Sequence, residues 1–391
     1  MKKCLKILLV IVIVTIIGLF CLYRYFECNP IHMGGGGPSD PPPARCYAKE
    51  QEQQRKTQME QLEQLAALKF TCQKEARPPL SEETQQLYNY ALYHDLHNMW
   101  TGDKGDYVWN GLARYYRIAA ANGDYKANVR LQYLLNTGRI NTDMPQTEVH
   151  NLNEELAKQL PATAYYNLYG YLDEGYGVRT EEGGKYAYLR KAADLGSREA
   201  QYTVAEMLAD IEDSEETQEA FKYRLNLVKQ LRSCASEQGL GEVSSNLGIS
   251  LQMDKKYQEA LKVFHQGVKN GDSISALVLS HAFESGVQAD NLNFLDVSPD
   301  DERVKRYHMI SSYLSRYDYL QPKVPDLDEI LPLPPAKLPE WNGKIAFQRW
   351  YEGEAPPKPS EALMQKLANQ AGLRVDNGLD LETNLPKSVK K

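Results

Sequence analysis

The feature that most constrains this chain is a recurring pattern of small residues. Two small residues are followed by a Gly three positions on and by another small residue four positions further. The pattern occurs twice, 73 residues apart, as Ala119-Ala120, Gly123, Ala127 and as Ala192-Ala193, Gly196, Ala200. A weaker copy begins at Gly267 and continues with Gly271 and Ser275. The interval is twice about 36 residues, which is the period of stacked helix pairs.

A second interval supports the first. Three small residues are each followed eleven positions later by a Gly: Ala127 by Gly138, Ala164 by Gly175 and Ser275 by Gly286. Eleven residues make about three helical turns, and a Gly after a helix adopts the left-handed conformation that ends it. Each unit is therefore predicted to be a pair of antiparallel helices that buries its apolar side by stacking on its neighbours.

The pattern predicts an all-α chain built as a right-handed helical-repeat solenoid over residues 80–320. The other expected segments are 1–26, a cytoplasmic tip and membrane anchor; 27–46, a Gly/Pro linker; 47–76, an amphipathic spacer helix; and 321–391, a proline-rich module with a short helix. The spacer helix is expected because Met59, Leu62, Leu65 and Leu68 recur every third residue.

The N-terminal segment predicts a transmembrane helix. Residues 7–23 are uncharged and apolar, close to the length that spans a bilayer, and three lysines precede them. The positive-inside rule then leaves the N-terminus in the cytoplasm and the rest of the chain outside. A cleaved signal peptide and a lipid anchor at Cys21 stay open as alternatives. The anchoring residues would include Ile7, Leu8, Val12, Ile16 and Phe20.

The charge balance limits the partners. The formal net charge is −7, from 45 basic and 52 acidic residues, so general nucleic-acid binding is excluded as a function class. Leaving out residues 1–24 gives 41 basic against 52 acidic residues, a balance of −11. An acidic body favours basic partners over an anionic membrane surface.

The cysteines do not predict a metal site. Cys28, Cys46, Cys72 and Cys234 follow the apolar segment, without a C-x-x-C pair or a Cys/His cluster. An exported chain permits disulfides. Cys46 and Cys72 could pair across a folded-back segment, whereas one long helix over 47–75 would keep them apart, and the sequence leaves this open.

One stretch carries a family resemblance. Ala164 to Gln201 includes Tyr171-Leu172, Gly175-Tyr-Gly-Val178, Lys185-Tyr-Ala187 and Lys191-Ala-Ala-x-x-Gly196. It resembles a Sel-one-like repeat, a longer relative of the tetratricopeptide repeat. Tyr169 stands where the family usually has Gly. The resemblance implies a protein-binding solenoid, with one nearly complete repeat and several degenerate ones.

The C-terminal segment carries a second resemblance. Nine of the 20 prolines lie within residues 322–359, interleaved with Leu, Trp and Phe. Its motifs are Leu333-Pro-Pro-Ala, Leu338-Pro-x-Trp341, Pro357-x-Pro-Ser-Glu-Ala-Leu363 and Ala371-Gly-Leu373. They resemble the C-terminal module of bacterial Sel-one-like proteins that include immunity proteins against type VI secretion phospholipase effectors. A short helix is expected after Ser360 as N-cap, ending at Gly372.

The resemblance implies a non-enzymatic immunity protein in the bacterial inner membrane, with its body in the periplasm, that binds and sterically blocks a phospholipase-type effector. The alternative is an envelope scaffold. No catalytic residues, metal, cofactor or small-molecule substrate are expected, because no G-x-S-x-G, Walker or H-E-x-x-H motif occurs.

Candidate partner-binding residues are tyrosines and acids, since Tyr is a favoured interface residue and acids suit a basic partner. They are Tyr165, Tyr169, Asp173, Glu174, Tyr176, Asp210, Glu212 and Asp213. Packing between repeats remains open for the tyrosines, and a solvated loop remains open for the acids.

Overall fold

The computed structural model describes residues 70–99, 104–181, 183–212 and 218–388. Within these ranges the chain forms fifteen α-helices and one short 3-10 helix. The described residues contain no β-strand, although Leu373 and Asp380 form an isolated antiparallel bridge. The predicted all-helical fold class is therefore confirmed for this part of the chain.

Twelve helices form six consecutive pairs, each packed on the next. The pairs are α1 (Glu82–Leu96) with α2 (Lys104–Ala121), α3 (Tyr125–Asn136) with α4 (Pro145–Ala157), α5 (Pro161–Glu174) with α6 (Gly184–Asp194), α7 (Arg198–Ala209) with α8 (Gln218–Glu237), α9 (Gly241–Met253) with α10 (Tyr257–Lys269), and α11 (Ser273–Ala282) with α12 (Asp301–Arg316). The remaining elements are the 3-10 helix Asp318–Leu320, α13 (Leu327–Ile330), α14 (Ala346–Tyr351) and α15 (Glu361–Ala371).

Short turns join the second helix of one pair to the first helix of the next. At three of them an acidic or hydroxyl side chain caps the new helix by accepting a hydrogen bond from the backbone three residues on: Asp124, Ser197 and Asp272. Gly123, Gly196 and Gly271 of the small-residue pattern lie in these turns with positive φ, for example 101° at Gly196. We call the side of the array formed by turns 122–124, 158–160, 195–197, 238–240 and 270–272 the short-turn edge.

The C-terminal residues link the two ends of the array. Arg306 of α12 donates hydrogen bonds to the carbonyls of Ile330 and Pro339. His97 of α1 stacks on Tyr351 of α14, with ring centroids 4.1 Å apart. Helix α15 then packs on α2, where Leu367 is buried. Ser360 caps the start of this helix and a left-handed Gly372 caps its end, which confirms that local prediction.

An extended segment, residues 70–80, crosses the short-turn edge. The Glu75 carboxylate accepts hydrogen bonds from the first backbone amides of α5, at 2.6 Å from the nitrogen of Ala162. A Cβ at Gly196 would lie 2.7 Å from the backbone nitrogen of Glu75, so only Gly allows this close approach. We call residues 70–80 the N-terminal strap.

The strap bears on two predictions, the spacer helix over residues 47–76 and the pairing of Cys72. Residues 70–76 are extended, so the helix expected over 47–76 does not include them; residues 47–69 lie outside the described residues. Cys72 is disulfide-bonded to Cys234 of α8, and a Cys46–Cys72 pair is therefore not formed. The sequence could not favour this partner because 162 residues separate the two cysteines and only the fold brings them together.

No helix among the described residues is long and apolar enough to cross a membrane. The predicted anchor, residues 7–23, and the Gly/Pro linker lie outside the described residues.

Candidate protein-binding surface

The first helices of successive pairs share one register. Counting starts from the small residue that packs at the beginning of each helix: Ala127, Ala164, Ala200, Val243 and Ser275, all buried. The residues two positions later are Val129, Tyr166, Tyr202, Ser245 and Leu277. Those six positions later are Tyr133, Gly170, Glu206, Ile249 and His281. Equivalent positions on neighbouring helices therefore form rows across the array.

Polar contacts join these rows from helix to helix. The hydroxyl of Tyr166 lies 3.2 Å from that of Thr203, and the Asn246 side chain donates to the Tyr202 hydroxyl at 3.5 Å. In both cases the residue two positions after the starting residue of one helix contacts the residue three positions after the starting residue of the next helix. The surfaces of α5, α7 and α9 are thus continuous. We call this surface, with the matching residues of α3 and α11, the first-helix face.

Apolar side chains are exposed along the first-helix face. Val129 and Tyr133 on α3 are 37% and 42% exposed, and Ile249 on α9 and Leu277 on α11 are 41% and 40% exposed. Single exposed apolar residues are ordinary, but a row of them across neighbouring helices is typical of an interaction surface. Tyr166, Tyr169 and Tyr202 lie half-buried between the two ends of this row.

Tyr202 lies at the centre of the face among acidic groups. Burial raises the pKa of Tyr202 to about 12, and the carboxylates of Glu206 and Glu242 add to this rise. Arg232 of α8 donates two hydrogen bonds to one oxygen of Glu206, at 2.8 and 3.0 Å. The Tyr202 hydroxyl therefore stays protonated near neutral pH and remains a hydrogen-bond donor.

Two predicted site residues, Tyr169 and Asp173, lie together at the end of α5. Lys185 forms an ion pair with the half-exposed Asp173, and this hydrogen bond raises the pKa of Lys185. Burial, with a contribution from Asp173, raises the pKa of Tyr169. The ring of Tyr169 lies 6.0 Å from that of Tyr166, so both belong to the first-helix face.

Two other predicted tyrosines are half-buried against neighbouring helices. Tyr165 stacks on Tyr188 of α6 at 6.2 Å, with the Lys191 ammonium 4.3 Å from its ring centroid. Tyr176 packs against Tyr171 and His150, whose ring centroids lie 5.8 and 6.2 Å away. Both rings contribute to contacts between helices.

The other predicted acids that the structure describes lie at helix ends and in loops opposite the short-turn edge. Glu174, Asp210 and Glu212 are exposed, and Asp213 lies outside the described residues. The structure places Glu174 at the end of α5 and Asp210 directly after α7. They border the first-helix face at its loop end.

The sequence-based site missed Tyr202, Glu206, Ile249 and Leu277. The signal for three of them was present, since Tyr202, Glu206 and Leu277 lie two or six positions after a small residue of the repeat pattern. Ile249 follows Val243, which takes the equivalent place in α9. The crowding of tyrosines within 165–188 was an incomplete guide, because neighbouring residues on a helix point in different directions and only part of them share a face.

A cleft separate from the first-helix face lies between α2, α4 and the C-terminal residues. Its volume is about 180 Å³. Arg117 and the buried Glu148 form a two-bond ion pair at 2.6 and 2.9 Å in its wall, and Arg117 also donates to the carbonyl of Asn377. Arg117 and Glu148 neutralise each other, and Arg117 also binds the C-terminal residues. The cleft is therefore a contact between the helix array and the C-terminal residues, with no free charge offered by this ion pair.

Comparison with known proteins gives a family match for part of the chain. A model for a domain of unknown function, DUF6396, matches residues 275–381, which run from α11 to just past α15. No curated protein sequence matches the chain.

Several solved structures are similar at low identity. Immunity protein PA5088 of Pseudomonas aeruginosa is 19% identical with a TM-score of 0.49, and the match covers 68% of this chain and 95% of that one. Immunity protein Pa5087 of the same organism is 22% identical with a TM-score of 0.45 over the same shares. A Sel1 repeat protein from Oxalobacter formigenes is 18% identical with a TM-score of 0.37, covering 74% of this chain and 98% of that one.

Proposed function

We propose that this chain is an immunity protein that binds a protein effector of type VI secretion and blocks it sterically, without catalysis. The observation behind the proposal is the first-helix face, where exposed apolar side chains and half-buried tyrosines continue across five helices. The resemblance of the C-terminal motifs supplies the class of partner.

The face suits a protein partner physically. Tyrosine gives a large contact area with few rotatable bonds, and interface hot spots are rich in it. Tyr166 and Tyr202 are already held by hydrogen bonds to neighbouring helices, so binding would immobilise them at little further entropic cost.

The finer parts of the proposal rest on the sequence. The effector is a phospholipase-type toxin, and the body lies in the periplasm behind an inner-membrane anchor. An anchored inhibitor would have a high local concentration where a lipase meets its substrate. The acidic balance of the body, −11 beyond residue 24, favours a basic partner surface.

A test uses the full-length chain and the product of the adjacent gene, exported to the periplasm of a host. We expect the two to co-purify, and we expect the chain to protect the host from the exported product. The variant Tyr166→Ala/Tyr202→Ala should weaken binding at least about 100-fold, since each hot-spot tyrosine contributes about 2 kcal/mol.

Tyr223→Ala is the matched control. Tyr223 is 55% exposed on α8, a second helix outside the first-helix face, and its loss should leave binding unchanged. Failure of the wild-type chain to bind or to protect would refute the immunity function. Binding to host envelope proteins in its place would support the scaffold alternative.

A further inference from the structure

Two strongly exposed apolar side chains lie near the loop end of α9. Met253, the last residue of α9, is 80% exposed, and Leu292 of the loop 283–300 is 90% exposed. Ile249 lies one helical turn before Met253 and therefore on the same side of α9. We call Ile249, Met253 and Leu292 the α9 apolar patch.

The loop that carries Leu292 is held firmly to the array. The Gln252 side chain donates to the carbonyls of Leu292 and Phe294, at 2.6 and 3.0 Å. Phe294 packs edge-on against Tyr257 at 5.0 Å between ring centroids, and Leu295 is completely buried. The loop is therefore fixed on both sides of the exposed leucine.

Leu292 lies at the tip of a tight turn. The backbone amide of Phe294 donates to the carbonyl of Asn291 at 3.1 Å, which places Leu292 and Asn293 at the two central positions. Turn tips favour Gly, Pro, Asn, Asp and Ser because those residues match the turn geometry or bond to the local backbone. A leucine there contributes nothing to the turn and loses the free energy that burial would give.

The charges around the patch differ on its two sides. The loop 284–299 contains Glu284, Asp290 and Asp296 and no Lys or Arg. On the helix side, Asp254 is paired with Lys229 and Lys256 with Glu259, and the exposed Lys255 between them adds a positive charge. A partner with a basic residue toward the loop would complement this distribution.

We propose that the α9 apolar patch is a docking point for a partner protein, which inserts a large apolar side chain there and places a Lys or Arg over the acidic loop. The patch continues the first-helix face, since Ile249 belongs to both. The inference rests on the proposed function only in requiring a protein partner, and it does not depend on which effector is bound.

The test uses the full-length chain in detergent and a random-peptide phage library as the probe. We expect enriched peptides in which a large apolar residue lies near Lys or Arg. Met253→Asp and Leu292→Asp should each weaken their binding at least about tenfold, because each removes an apolar contact and brings in a repelling charge. Both side chains are exposed, so the substitutions should leave the fold intact.

Leu381→Asp is the control, since Leu381 is 58% exposed in the C-terminal residues away from α9. The inference is overturned if no such peptides are enriched, or if they bind both variants as tightly as wild type. It is also overturned if the chain forms dimers that the same two substitutions abolish, because the occupant is then a second copy. Failure to bind the neighbouring gene product would refute the proposed effector and would leave the peptide result standing.

Discussion

The two ends of the helix array and its middle are stabilised in different ways. The largest fully buried side chains at the ends are aromatic, Tyr116 near the first pair and Phe264, Phe283 and Tyr307 near the last. In the middle, the described residues of α6 and α7 bury no aromatic side chain; beside Leu189, Val204 and Leu208 they bury Ala192, Ala193, Ala200 and Ala205. Small residues let helices approach closely but remove less apolar area from water.

The C-terminal residues and the N-terminal strap also stabilise the ends and the middle in different ways. The C-terminal residues add apolar side chains to both end cores, including Met364 and Leu367 at the first pairs and Leu327 and Leu331 at the last. The strap instead adds hydrogen bonds and the disulfide to the middle. The middle places Tyr166, Tyr169 and Tyr202 on the first-helix face, and we infer that the strap compensates for its smaller core.

Removing the disulfide is expected to have the largest effect on the middle. The Cys72–Cys234 bond closes a loop of 162 residues, and the chain-entropy estimate for such a loop is about 5 kcal/mol. Cys72→Ser/Cys234→Ser should lower the free energy of unfolding by up to about that amount. Hydrogen exchange should quicken first in α5–α8.

Urea unfolding with and without a reducing agent measures this effect. Wild type should lose stability on reduction, and the double variant should not respond. Equal loss of protection in α1–α4 and in α5–α8 would show that the strap does not act on the middle in particular.

Shortening a tail residue is expected to have the next largest effect, at the first end. Leu367 of α15 is 3% exposed in the core that α15 forms with α2. Leu367→Ala should cost about 3 kcal/mol, as the transfer and cavity contributions of a buried leucine predict. The neighbouring Lys366→Ala removes an exposed ion pair with Glu83 and should cost less than about 1 kcal/mol. Similar unfolding midpoints for Leu367→Ala and Lys366→Ala would contradict a packed apolar contact between α15 and α2.

The repeat pattern predicted the helix pairs because small residues and glycines act locally. The turn at Gly196 needs a positive φ, and a helix capped by Ser360 needs only its own next residues. The spacing of such signals can be read directly from the sequence. The helix ending at Gly372 could be predicted for the same reason.

Long-range contacts could not be predicted in this way. The partner of Cys72, the strap carboxylate that caps α5 and the stacking of His97 on Tyr351 depend on which distant segments meet. The first-helix face depends on both local signals and long-range contacts. Its register was present in the spacing, but only the stacking of α5, α7 and α9 joins Tyr166 and Tyr202 into one face.

Lowering the pH should destabilise the last end of the array more than the middle. The expected effect is smaller than those of the two preceding predictions. His265 of α10 is buried, with Nδ1 3.0 Å from the Tyr307 hydroxyl and Nε2 2.8 Å from Asp328. Burial lowers the pKa of His265, although Asp328 opposes the change. Below the unfolded-state pKa of about 6.5, the unfolded chain takes up a proton that the folded chain resists, so stability falls as pH falls.

The expected loss between about pH 7.5 and 5.5 is at most about 1 kcal/mol, because an unfolded-state pKa of about 6.5 limits it. The contribution of Asp328 to stability can be separated from that of His265. Burial raises the pKa of Asp328, but the hydrogen bonds from Lys269 and His265 lower it overall. The stability that this carboxylate contributes is therefore lost only below the ordinary Asp pKa of about 3.9. Urea midpoints at the two pH values measure the slope. His265→Gln should be less stable at both and should lack this part of the slope. Hydrogen exchange should place the change in α10, α12 and α13, because these helices surround His265, while α5–α8 keep their protection.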